Sequence, residues 1–210
     1  MLDVKQKGVL RGMLIGTAFA LAITVLGSWL NPFSFCPNMS ELARLNVAIK
    51  NSLLPAICLA IAIGRLAKHR FFSPEDIDGG DLTEATEQAK LLQSLLQNTL
   101  EQFAFAVAAY CAWAVVMPSA WLSVVPLAAA AFIVGRILFF IGYSRGASAR
   151  AIGFTLAFYT SAAMLVSVTA TVFVQLITAN RSLQLAAQSA GALGFPPRPA
   201  AAPAATELQC

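Results

Sequence analysis

Residues 102–135 read QFAFAVAAYCAWAVVMPSAWLSVVPLAAAAFIVG, and none of them is charged. This is longer than the roughly 20 apolar residues that one bilayer-spanning helix needs, and Pro118 interrupts it. Proline cannot continue a helix, and it pushes the residue before it toward extended backbone. The stretch therefore reads as the end of one membrane helix, a turn around Met117-Pro118-Ser119, and the start of the next. Two further stretches pass the same test. Residues 12–43 hold one charged side chain, Glu41, and residues 151–180 hold none. Across the 210 residues only 11% are charged and 58% are hydrophobic, where a soluble domain carries about 25% charge. The expected fold class is an all-α membrane protein.

Five spans follow from the apolar runs and their stops. The first runs from about Gly12 to Leu30 and stops at Asn31-Pro32. The second runs from about Asn46 to Lys68, with Lys50 and Arg65 snorkelling to the interfaces. The third starts near Thr83, in the acidic turn T-E-A-T-E that suits a helix N-terminus, and ends before Pro118. The fourth runs from about Trp121 to Tyr143 and the fifth from about Ala149 to Ala179. The loop S-P-E-D-I-D-G-G-D at 73–81 is polar, acidic and turn-rich.

Lys5, Lys7 and Arg11 precede the first span, which is too long for a cleaved signal and lacks an A-x-A site; it reads as a retained signal anchor. The expected organisation is residues 1–45 as signal-anchor helix and outer loop, 46–180 as a transmembrane bundle, and 181–210 as a tail. That tail, ending in P-P-R-P-A-A-A-P-A-A and a short polar stretch, lacks the apolar residues to bury a core and is expected to be disordered.

The net charge of +4 comes from Lys and Arg at helix ends, without a basic run, so no nucleic-acid partner is expected. A cytoplasmic N-terminus puts Lys5, Lys7, Arg11, Arg65, Lys68, Arg70, Lys90, Arg145 and Arg150 inside. It leaves only Arg44, Lys50, Arg181 and Arg198 outside, as the positive-inside rule prefers. Trp29, Trp113 and Trp121 would then form an aromatic belt at the outer interface. The expected location is a bacterial inner membrane. Cys36, Cys58, Cys111 and Cys210 show no CxxC spacing, and His69 is the sole histidine, so neither a disulfide framework nor a metal site is expected.

Two charges lie at membrane depth, Glu101 on the third span and Arg136 on the fourth. An isolated charge there costs several kcal/mol, so such residues face a bundle interior and find partners. At 1.5 Å per residue Arg136 lies about 10 Å from Tyr143, Asn98 about 12 Å from Lys90 and Glu101 about 16 Å from Lys90. If Lys90 and Tyr143 mark the same interface, Asn98, Glu101 and Arg136 fall within two turns in depth. Asn98 and Glu101, at i,i+3, share a helix face. A polar pocket of Asn98, Glu101, Arg136, Tyr143 and Arg150 results. The structural alternative is a Glu101–Arg136 tie between two helices, with Asn98 as added hydrogen-bonding glue.

The run Asn98-Thr-Leu-Glu101-Gln, followed by Gly135-Arg136-Ile-Leu-Phe139-Phe-Ile-Gly142-Tyr143-Ser-Arg145, resembles the MAPEG superfamily of microsomal glutathione transferases and leukotriene C4 synthase. The R-x-x-x-x-x-G-Y-x-R pattern ahead of the last helix is the specific part. The resemblance covers about residues 50–178. It implies a MAPEG-like four-helix transmembrane bundle, to which the first span is an additional N-terminal helix. It further implies a homotrimer that holds glutathione between subunits. Asn98, Glu101, Arg136 and Tyr143 correspond to glutathione-binding positions, and Arg150 to the arginine that stabilises the glutathione thiolate. Ser94 stands where the leukotriene synthase branch has an arginine, and Gln102 and Phe139 each replace a tyrosine.

The resulting expectation is a membrane-bound, glutathione-dependent transferase or peroxidase acting on hydrophobic electrophiles that reach it from the lipid bilayer. The alternative is a non-catalytic MAPEG-like binding or scaffold protein. A transporter using Glu101 as proton carrier is disfavoured, because no paired Gly/Pro-broken spans or inverted halves are visible.

Overall fold

A computed structural model describes residues 3–79 and 84–192. Its long elements are α1 (Val4–Leu30), α2 (Glu41–Phe72), α3 (Glu87–Val116), α4 (Val124–Gly142) and α5 (Ala147–Ala192). Each is long and apolar enough to cross a membrane, α4 together with the short 3-10 turns on either side of it. The chain divides into two compact units, one through Thr169 and one from Ala170 onward. The bundle and site described below lie in the first. Thr83, where the third span was expected to start, lies outside the described residues, as does the chain beyond Ala192.

Caps set the helix starts. Asp3 and Gln6 form a capping box on α1, Ser40 accepts the Ala43 N–H at 3.2 Å, and Thr86 accepts the Ala89 N–H at 3.2 Å. α3 therefore begins after Thr86. The fourth helix begins later than expected, at Val124, behind a 3-10 turn at Ser119–Trp121. Pro126 is the reason. Its missing N–H is harmless only within the first helical turn, and the Val125 N–H closes the preceding turn on Leu122 O at 3.0 Å. α5 runs past the expected Ala179 to Ala192, because Ala, Leu and Gln are strong helix formers.

Contacts at the helix ends define an up-and-down bundle. At one end Ser123 Oγ donates to Asn31 Oδ1 (2.6 Å), and Arg44 Nη1 donates to Met117 O (2.8 Å). Arg44 thereby caps the Met117 carbonyl at the C-terminal end of α3. At the other end Ser148 Oγ donates to Lys5 O (3.1 Å), and His69, Asp76 and Thr86 join α2 to α3.

The interior is built from small residues. Ala48, Ala106, Ala109 and Ala129 are fully buried around Tyr110, Trp113, Phe132 and Met164. Membrane helices gain little from apolar burial against one another, so close backbone approach and dispersion hold them. A Cβ at Gly135 would stand 2.8 Å from Gly153 O, so α4 and α5 touch backbone to backbone there. Outside, Leu14, Phe19, Val25, Leu53, Ile57, Ile61 and Val166 are exposed. An apolar exterior of this extent belongs in lipid. Trp113 corrects the expected belt. It is 1% exposed and its Nε1–H donates to Trp121 O at 2.9 Å, whereas Trp29 is 82% exposed. Counting depth along a helix does not tell which way a residue faces.

Two tests follow. Gly135→Val should lower unfolding free energy by about 1–3 kcal/mol, read in detergent denaturation. Asp76 Oδ2 accepts from Thr86 Oγ1 (2.6 Å) and lies 2.9 Å from His69 Nε2, while Oδ1 accepts the Thr86 N–H (2.9 Å). The Thr86 bonds, with His69 adding less, hold its carboxyl below the usual range. A depressed acid stabilises the fold above its ordinary pKa, and that contribution disappears as pH falls through the depressed value. Amide exchange in residues 73–79 should therefore stay slow at neutral pH and quicken on acidification below about 3.9. In Asp76→Asn the exchange should be faster at neutral pH and lose that acid dependence.

Candidate functional site

Residues 94, 97, 98 and 101 of α3 recur at i, i+3, i+4 and i+7, which places them on one face. Ser94, Gln97, Asn98 and Glu101 all line a half-open cavity of about 860 Å³. Opposite them stand Phe139 and Tyr143 from the end of α4 and its 3-10 turn, and Arg150, Phe154, Thr155 and Tyr159 from α5. The cavity thus gathers four of the five expected residues: Asn98, Glu101, Tyr143 and Arg150.

Arg136, the fifth, is placed differently. It is 1% exposed and lies behind the cavity wall. Nη1 donates to Asn98 Oδ1 at 2.8 Å and Nη2 to Gln102 Oε1 at 3.1 Å. The guanidinium carbon lies 4.4 Å from the Phe139 ring centre and 5.8 Å from that of Phe132. Arg136 therefore holds Asn98 and Gln102 from behind the cavity. Because it occupies the carbonyl oxygen of Asn98, the Asn98 amide group is left to act as a donor. Gln102, which was not among the expected site residues, is buried and binds Arg136. Its i,i+4 spacing from Asn98 was the available signal.

The Glu101–Arg136 tie, the structural alternative to a pocket, is not formed. Glu101 is on the exposed side of α3 and accepts from Gln97 Nε2 at 2.9 Å. Among the described residues no ion pair joins it to Arg136. Arg136 reaches the buried side of α3, where two amide oxygens one turn apart substitute for a carboxylate. The positive charge is thus held by neutral acceptors and aromatic faces, and its field favours an anion on the cavity side of Asn98.

Arg150 sits in the first turn of α5. Its guanidinium carbon lies 4.5 Å from the centre of the Tyr143 ring, which itself meets Phe139 edge-on at 5.3 Å. The ring holds the guanidinium by cation–π attraction. The first turn of α5 contains no acidic residue, so the positive end of the helix dipole adds to the Arg150 charge. Gly142 enables this approach. A Cβ there would meet the Ala149 carbonyl carbon at 2.8 Å. Ser94 spends its hydroxyl on Lys90 O at 2.9 Å.

A helical membrane bundle with a cavity between its helices, lined by Glu101, Arg150 and aromatic rings, is a polytopic membrane protein with room for a small molecule. The profile of the MAPEG family matches residues 47–170, and the chain belongs to that family. No curated protein and no solved structure matches the chain. The matched segment starts in α2 and ends in α5, so α1 lies outside it.

Arg136→Met should destabilise the bundle, since Asn98 and Gln102 lose their donor at about 1–3 kcal/mol per stranded buried group. Adding Gln102→Leu should recover part of that loss, because removing both partners leaves less unsatisfied. Thermal unfolding of the three proteins measures both effects.

Proposed function

We propose that this MAPEG protein is a glutathione-dependent transferase or peroxidase for hydrophobic electrophiles, with Arg150 as the catalytic residue. The observation that carries the reading is Arg150 held over Tyr143 at the mouth of a cavity that Asn98 and Glu101 also line. A thiol is nucleophilic as thiolate, and a guanidinium beside it lowers its pKa. In this reading the Asn98 amide donates to a carboxylate or carbonyl of the tripeptide, and Glu101 accepts from its ammonium group. Tyr143 orients Arg150, and Arg136 keeps Asn98 turned. The electrophile enters from the bilayer. The family supports a homotrimer, and the gathering of Lys5, Lys68 and Arg145 at one end of the bundle supports a cytoplasmic N-terminus.

A second reading, a binding protein without catalysis, is favoured by one observation. The three positions that depart from the leukotriene synthase branch offer no free hydroxyl or guanidinium to the cavity. Ser94 is bonded to backbone, Gln102 to Arg136, and Phe139 packs under Arg136.

The deciding measurement is the ultraviolet thiolate band on adding glutathione to detergent-solubilised protein. The transferase reading predicts a stoichiometric signal that Arg150→Ala abolishes, together with a fall in kcat/KM of about 10²–10³-fold, as for loss of one group stabilising developing charge. Tyr143→Phe should keep most of the signal and Tyr143→Ala should lose it, because the ring face rather than the hydroxyl holds Arg150. Glutathione binding without a thiolate band would establish the second reading. No binding at all would overturn the transferase reading and leave a scaffold or a binding protein for another ligand.

A further inference from the structure

α1 lies outside the family segment, yet it supplies one wall of the cavity. Val9 and Met13, one helical turn apart, line it beside Phe154, Thr155 and Tyr159 of α5. The helix is fixed there by its glycines. A Cβ at Gly12 would stand 2.7 Å from the Ala151 Cβ, and one at Gly16 would collide with Thr155. The Thr155 hydroxyl donates to Gly12 O at 3.0 Å and to Ala151 O at 2.9 Å. That bond does two things. It clamps α1 to α5, and it engages the hydroxyl that α5 would otherwise offer to the cavity.

The cavity is accordingly two-sided. Its α3 side carries Gln93, Ser94, Gln97, Asn98 and Glu101, while its α1–α5 side carries Arg150 at the start of α5 and, beyond it, an alkyl and aromatic surface with the Tyr159 hydroxyl. Behind that surface the rings continue in a stack. Phe154 and Phe158 lie 5.4 Å apart, and Phe158 and Phe105 lie 5.2 Å apart, with interplanar angles of 23° and 16°. A volume of about 860 Å³ is near the top of the roughly 300–1,000 Å³ range of small-molecule pockets, so a tripeptide on the polar side leaves space beside it.

We propose that Met13 and Val9 of α1, a helix outside the family segment, are specificity-determining residues for the electrophile that occupies this space. The assignment of the polar side to glutathione rests on the reading above. For an aryl halide the step is a substitution. The thiolate sulfur forms a bond to the ring carbon, halide leaves with the electron pair, and the thiol proton passes to solvent. α1 then sets which electrophiles fit, and it does so from within the same chain.

The test pairs labelling with kinetics on the full chain in lipid vesicles. A diazirine-bearing nitroaryl probe should label Val9 or Met13 together with Phe154 or Tyr159, and excess chlorodinitrobenzene should suppress that labelling. Met13→Trp should raise the KM for chlorodinitrobenzene about tenfold, a usual penalty for misfit in an apolar pocket, with the KM for glutathione unchanged. Leu14→Trp adds the same bulk to an outward position that is 64% exposed, and should change neither. Labelling that falls on Leu10 and Leu14 and resists competition would overturn the proposal, as would a Met13→Trp effect equal on both substrates. Suppressible labelling in a protein that forms no thiolate would uphold the subsite and remove the glutathione reading.

Discussion

A guanidinium buried at membrane depth has to be solvated by protein, and the rest of the site is arranged around that requirement. Arg136 meets it at its two terminal nitrogens with amide oxygens from one face of α3, and across its plane with the faces of Phe132 and Phe139, while Nε is left without a hydrogen-bond partner. In a low-dielectric interior each of these bonds is electrostatically strong and its loss is costly. The consequence reaches beyond cohesion. Asn98 is shared between the buried arginine and the cavity, so the bond that ties α3 to α4 also orients the Asn98 amide at the cavity wall.

The second constraint is how helices associate when apolar burial contributes little. Alanines fill the centre, and glycines bring α4 and α5 into backbone contact at Gly135, Gly142 and Gly153. The same device seats α1 on α5 through Gly12 and Gly16. Close approach at Gly142 is what carries Arg150 over Tyr143. Close approach at Gly12 is what puts Met13 and Val9 at the cavity edge. Packing and site are thus one arrangement, and the helix outside the family segment is integrated into it.

Much of this was legible in residue order. Charge-free runs broken at Pro118 and Asn31-Pro32 mark the spans, because a bilayer tolerates neither charge nor unpaired backbone. The i,i+3 spacing of Asn98 and Glu101, and the G-Y-x-R pattern at 142–145, marked the cavity and the family. These signals are local or compositional, so they survive in one dimension.

Facing and partner choice were decided in three dimensions. Depth along a helix could bring Glu101 near Arg136, but only the packed rotation of α3 turns Glu101 to the exposed, cavity-lining side and presents Asn98 and Gln102 to Arg136 instead. Rotation likewise buries Trp113. The place of α1 is also a tertiary result, since its glycines acquire meaning only against Ala151 and Thr155, far along the chain. By itself the sequence determined that this is a five-span membrane protein of recognisable family, because bilayer insertion is read from the chain alone. Which side chains share a cavity was left to the tertiary structure, because helix rotation is set by contacts between segments that sequence order keeps apart.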